Sequence, residues 1–146
     1  MDFSNILQGI ATVITGLLAG SMLFFSFVMA PLIFIKLEIR EAGKFVRAVF
    51  PWYYLVVIAL SGLGGIALVA IAPLNASLLF LVTISAIYCR QSLMPSINDH
   101  RDRSNSSEEV ANKIFNKLHR RSEIINGLQL LATMAVLLHI SFVNFN

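Results

Sequence analysis

From Phe3 to Ile35 the chain carries no charged residue, and from Phe50 to Cys89 it again carries none. Runs of that length constrain a fold more than any motif does, because a helix needs only about 20 apolar residues to cross the hydrocarbon of a bilayer. The first run is too long for the apolar region of a cleaved signal, and its leader MDF holds an acid where such signals carry lysines. It reads as a retained first helix. The second run is about twice what one crossing needs, and APLN at 72–75 supplies the break that splits it into a tight hairpin. A further segment, Ile124 to Phe145, follows a polar stretch and is neutral unless His139 takes a proton. The expectation is an all-α integral membrane protein, a four-transmembrane-helix bundle forming one membrane domain over 1–146. Its spans fall at about 5–35, 51–72, 75–95 and 122–144, with loops at 36–50 and 96–121.

Composition agrees. Hydrophobic residues make up 57% of the chain and charged residues 13%, against roughly 25% charged in soluble proteins. The mean hydropathy is +0.77. Too few polar residues remain to cover a soluble globule of this size. The single cysteine, Cys89, excludes an internal disulfide and a Cys-x-x-Cys metal or redox pair.

Charge placement tests the span count independently. All 11 Lys and Arg residues lie in or beside the two loops: Lys36, Arg40, Lys44, Arg47, then Arg90, Arg101, Arg103, Lys113, Lys117, Arg120 and Arg121. With four spans both loops face one side. Positive residues are held in the cytoplasm, so the loops are expected inside and both termini on the non-cytoplasmic side of a plasma or bacterial inner membrane. The trio Trp52, Tyr53 and Tyr54 is then expected at headgroup level. Within KLEIREAGKFVRAVF, Leu37, Ile39, Ala42 and Val46 recur at helical spacing, which predicts a short cytoplasmic interfacial helix between spans 1 and 2. In the second loop Ser106 or Ser107 is placed to cap a helix whose first turn holds Glu108 and Glu109. Both loops mix signs, and neither shows a basic run with interleaved aromatics, so nucleic acid is not an expected partner. The lipid bilayer is.

Small residues mark the packing surfaces. Span 1 holds Thr12, Gly16, Ala19, Gly20 and Ser26, with GLLAG as a G-x-x-x-G, and span 2 holds Ser61, Gly62, Gly64 and Gly65. Such stripes let helices approach closely in lipid, either within the chain or in a homo-oligomer or with another membrane protein.

The candidate site comes from FNKLHRRSEIINGLQL at 115–130. On a helix His119, Ser122, Asn126, Gln129 and Thr133 are spaced by three, four, three and four, which places them on one face. Polar groups in hydrocarbon are costly without partners, so this face is expected to point into the bundle, toward a neighbouring helix or a ligand. Arg90 lies about 20 Å along span 3, short of its cytoplasmic end. It must either snorkel to the headgroups or pair with Glu123, Asp99 or Asp102. The binding candidates are therefore His119, Ser122, Asn126, Gln129, Arg90 and Glu123, with no catalytic or metal residue among them.

The strings ITGLLAGSMLFFSFVMAPLIF, FPWYY after Gly43, LMPSINDHRD and FNKLHRRSEIIN together resemble the transmembrane protein 205-like family, which carries domain of unknown function 4149. Gly20, Ala30, Pro31, Phe34, Phe50, Pro51, Tyr53, Pro95, Phe115, Leu118, His119, Ser122 and Asn126 match its pattern, and the F-x-x-L-H-x-x-S-x-x-x-N string is the most specific. The resemblance implies a small four-helix integral membrane protein without a settled activity.

Two classes of function remain. The first is a non-enzymatic transport or permeation element, or an accessory subunit, with a polar site at the cytoplasmic mouth of span 4. The second is a membrane-bound oxidoreductase using haem, a metal or a quinone. Bis-histidine haem is hard to build from His119 and His139, which lie about 30 Å apart on one helix; His100 with His119 stays open on the loop side, where a lone histidine is usually solvated, and paired methionines such as Met22 and Met29 usually only pack. No cofactor is expected, and the balance lies with the non-enzymatic class.

Overall fold

The computed structural model describes residues 3–104 and 109–143, all but a few of which are helical. The first rod comprises α1 (Phe3–Phe24), a π-helical turn (Phe25–Met29) and α2 (Ala30–Lys36). Leu37 and Glu38 are extended and reverse the chain into α3 (Ile39–Leu68). A tight turn leads to α4 (Pro73–Tyr88), which runs through a second π-helical turn (Cys89–Leu93) into α5 (Met94–Ser104). The last helix is α6 (Glu109–Phe142). Four stretches are long and apolar enough to cross a membrane: Phe3–Lys36, Arg40–Leu68, Pro73–Arg103 and Asn116–Phe142.

The helices alternate in direction. Gln8 Nε2 donates to the carbonyls of Ile140 and Val143, each at 2.7 Å, so the start of α1 and the end of α6 lie at the same end of the bundle. The tight turn joins them there, because the amide of Asn75 and Nδ1 of His139 are 2.8 Å apart. The charged extensions gather at the opposite end. Arg47 of α3 holds both carboxylate oxygens of Asp102 on α5, at 2.7 and 3.2 Å, and reaches the Asn98 carbonyl as well.

Packing follows the small residues, though not all of them. A β-carbon at position 65 would lie 2.8 Å from the Phe80 ring, and one at position 64 would lie 3.0 Å from Leu79. Only glycine lets α3 and α4 approach this closely. Ser61 and Thr83 share a hydrogen bond of 2.7 Å across the same contact. The GLLAG glycines do otherwise. Among the described residues nothing lies within 4 Å of a β-carbon built at Gly16 or Gly20, and α1 packs through Ala11, Thr15, Leu18, Ala19 and Met22 instead. The core joins these residues to Tyr54, Val57, Leu79, Val82, Val136 and Ile140. Large apolar side chains such as Leu17, Leu63, Ile66, Leu81 and Leu131 point outward, an arrangement suited to lipid.

Two expectations are corrected. The residues of the predicted interfacial helix are helical, but they form the first turns of α3, which runs unbroken through Pro51 into span 2. Proline removes one i→i−4 bond and need not end a helix that packing holds on both sides. The aromatic trio also divides: Trp52 faces outward, whereas Tyr53 and Tyr54 are buried in the bundle. The predicted cap at Ser106 or Ser107 lies outside the described residues.

Candidate functional site

Both π-helical turns precede a proline by the same offset. Ala30 N–H bonds the Phe25 carbonyl ahead of Pro31, and Met94 N–H bonds the Cys89 carbonyl ahead of Pro95. An i→i+5 bond inserts one residue into the turn, which makes room for the ring of the following proline and shifts the register of side chains on either side. The consequence is local to α3. Phe25 of the first turn stacks on Tyr53 with ring centroids 4.4 Å apart, and Phe50 closes the cluster edge-on at 5.3 Å from Phe25. Cys89 of the second turn meets the hydroxyl of Tyr54. Two bulged helices therefore converge on one pair of tyrosines.

Into this junction α6 sends its polar face. Asn126 Nδ2 donates to the Tyr54 hydroxyl at 3.1 Å, joining α6 to α3. One turn further on, Gln129 Nε2 donates to Ser85 Oγ on α4 at 2.8 Å. Thr133 Oγ1 donates to the Gln129 carbonyl at 2.8 Å, with Met22 Sδ 3.9 Å away on α1. Ser122, Gln129 and Thr133 are buried, and Asn126 is partly so. Each amide nitrogen has a partner; among the described residues the amide oxygens have none. Among the described residues Asn126 Oδ1 and Gln129 Oε1 are buried without a hydrogen-bond partner, as is Thr15 Oγ1. A buried polar atom left unpaired costs about 1–3 kcal/mol.

The other predicted residues stand at the rim or apart. Ser122 is buried, but its hydroxyl bonds back to the His119 carbonyl at 2.7 Å and reaches no other helix. His119 is exposed and lies 3.4 Å from Glu123, one turn along α6. Arg90 does not pair with Glu123, Asp99 or Asp102. Its Nε donates to the Pro51 carbonyl at 3.2 Å, while Asp99 holds Arg103 and Asp102 holds Arg47. Arg90 thus fastens α4 to α3 and takes no place in the amide row. At this end Arg121 of α6 lies 5.4 Å above the Tyr88 ring of α4.

Tyr54, Cys89 and Ser85 were not among the predicted site residues. The signal for them was present in Ala30-Pro31 and Met94-Pro95, two prolines inside apolar spans where a bulge and an internal contact are common. Among the described residues no group of three His, Cys, Asp or Glu side chains comes together, and His119 and His139 sit at opposite ends of the bundle. Between α4 and α6 a groove of about 200 Å³ faces outward, with Val82 and Gln129 at its base and Leu81 and Leu128 at its lips.

This fold and this buried amide row define a small multi-pass membrane protein built as a four-span helical bundle. A family model, domain of unknown function 4149, matches residues 13–106, and the chain belongs to that family. The match takes in both π-helical turns, the tyrosine pair and Ser85, and ends before the F-x-x-L-H-x-x-S-x-x-x-N string of α6. No curated protein and no solved structure matches the chain.

Proposed function

We propose that the protein is a non-enzymatic permeation or transport element of the plasma or bacterial inner membrane, with the polar face of α6 as its binding surface. The observation that carries this reading is the pair of buried, unpaired oxygens on Asn126 and Gln129. A structural amide can satisfy both its donor and its acceptor against neighbouring helices. Two successive amides that spend their donors on Tyr54 and Ser85 and keep their acceptors open are arranged to receive a donor from elsewhere. The row begins at His119 and Glu123 at the charged end, which the positive-inside rule assigns to the cytoplasm. It runs inward to Thr133 and stops at an apolar plug of Leu18, Leu79, Val136 and Ile140, so passage requires the plug to move. Beyond Glu123 the row offers hydrogen bonds and no charged side chain, which suits a small neutral polar solute.

Purified protein in liposomes tests this by light scattering after an inward gradient of glycerol or urea. Faster equilibration than in protein-free vesicles, lost in Asn126→Leu with helicity unchanged, is the expected result. Rates equal to protein-free vesicles for both solutes count against permeation. A second reading, an accessory subunit, draws on Gly16 and Gly20, whose built β-carbons meet no described residue within 4 Å. A stoichiometric membrane partner released by Gly20→Leu supports that role.

A further inference from the structure

The groove between α4 and α6 has two unlike parts. Its lips and most of its wall are aliphatic, with Leu81 and Leu128 well exposed, while Gln129 lies at its base and is only 3% exposed. The orientation of that amide follows from its partner. Ser85 has one hydroxyl proton, and it is engaged with the Val82 carbonyl at 2.9 Å. Ser85 Oγ therefore accepts from Gln129, which must present its NH2 group to the serine at 2.8 Å. The oxygen is left as the unused atom, and it is buried without a donor. The groove thus has Gln129 at its base, whose unused acceptor is closed off beneath the apolar floor, and no charged side chain along its wall.

Depth narrows the choice of ligand. Ser85 is 12 residues beyond Pro73, so at ~1.5 Å per residue it sits roughly 18 Å from the tight turn, near the middle of the bilayer. Water is scarce there, and a hydroxyl dissolved in the acyl region finds no acceptor among the lipid tails. A volume near 200 Å³ is below the ~300–1,000 Å³ that encloses a drug-sized molecule. It holds part of a chain or ring, with the remainder lying in lipid.

We propose that this groove admits a neutral, membrane-dissolved alcohol, an apolar body carrying a single hydroxyl, and that the hydroxyl displaces the side chains covering Gln129 Oε1 and donates its proton to that oxygen. The inference rests on reading the polar face of α6 as a binding surface and names the class of molecule it takes at this level. A charged amphiphile is disfavoured because the groove has no counter-ion. An ether or ester of the same shape is disfavoured because it brings no donor, and an acceptor facing an acceptor leaves both unsatisfied.

The test uses the whole protein in liposomes with a long-chain primary alcohol that carries a diazirine in its chain. Photolabelled residues are mapped by mass spectrometry, and labelling is competed with the unlabelled alcohol or its methyl ether. The expected result is labelling concentrated at the groove around Leu81 and Leu128, with the alcohol displacing it at a concentration at least about ten-fold lower than the ether, the factor one hydrogen bond of ~1.4 kcal/mol supplies. Gln129→Leu removes that discrimination, and Leu128→Trp, at an exposed lip outside the core, lowers labelling by either route. Equal displacement by alcohol and ether in the unaltered protein overturns the proposal without depending on any variant. So does labelling spread evenly over other lipid-facing leucines, or cross-linking of two chains through this groove, which would make a second copy the occupant. Solute flux separates the two claims. If glycerol or urea flux depends on Asn126 while alcohol and ether compete equally, the ligand assignment falls and the permeation reading stands; if flux is absent and discrimination holds, permeation falls and the groove remains a binding site.

Discussion

Asn126 on α6 donates a hydrogen bond of 3.1 Å to the Tyr54 hydroxyl on α3, across 72 residues of sequence. That bond fixes the rotation of α6, because it sets the amide row inward and leaves Leu128, Leu131 and Leu138 outward. A double-mutant cycle with Tyr54→Phe and Asn126→Leu should give a coupling energy of about 0.5–2 kcal/mol, the range for side-chain bonds between membrane helices. Reversible unfolding in mixed detergent measures it, and strictly additive effects would remove the bond from the account.

The glycines divide into two kinds. Gly65→Val should lower the unfolding midpoint sharply, since the added carbons meet the Phe80 ring, and overpacking of this sort costs about 1–3 kcal/mol. Gly20→Ala has open space around it, so the monomer should gain up to about 1 kcal/mol from helix propensity. A thermal scan of both variants checks the pair; the reverse order would mean that α1 and α3 exchange roles in the packing.

At the charged end, the Arg47 guanidinium holds the Asp102 carboxyl below the usual carboxylate value, chiefly by hydrogen bonding. A group depressed in the folded state adds stability above its unfolded pKa and loses it as pH falls through the folded value. The contribution is small because both side chains are largely exposed. The difference in midpoint between the unaltered protein and Arg47→Ala should therefore be largest near neutral pH at low salt, and should vanish in acid below the Asp102 titration. A difference that persists there would assign the effect to packing of the arginine stem.

Pro95 gives a sharper test of the bulges. Replacing it with alanine removes the reason for the widened turn, and an ordinary α-helical register rotates the preceding residues by up to ~100°. Cys89, buried and the chain's single cysteine, should then react faster with a membrane-permeant maleimide in Pro95→Ala than in the unaltered protein. Unchanged protection would show that packing against Tyr54 alone holds the turn.

Hydropathy and charge made the four spans legible, because bilayer thickness and the fate of positive residues act on whole segments and leave long, uniform traces. The three-four spacing of Ser122, Asn126, Gln129 and Thr133 likewise marked an inward face, since helical period alone decides which residues share a side. What lay opposite that face was not legible. Tyr54 was read as a headgroup residue because aromatic belts and buried tyrosines share one composition, and only packing separates them. For Arg90 the reading left snorkelling and a carboxylate partner open, and the acceptor it meets is the Pro51 carbonyl, an atom every residue carries and no sequence pattern advertises. The continuity of α3 was not legible for a related reason: amphipathic turns before Phe50 look the same whether a helix stops there or runs on into the next span, as this one does.

Along its length α6 turns its amides toward its neighbours and Leu128, Leu131 and Leu138 outward. Spin labels placed one at a time along residues 122–140 in liposomes, on a Cys89→Ser background, measure this through collisions with dissolved oxygen, which concentrates in the acyl region. Collision rates should rise at 128, 131 and 138 and fall at 122, 126, 129 and 133, with a period near 3.6 residues. High oxygen accessibility at 126 and 129, with protection at 128 and 131, would turn the helix over and contradict the account.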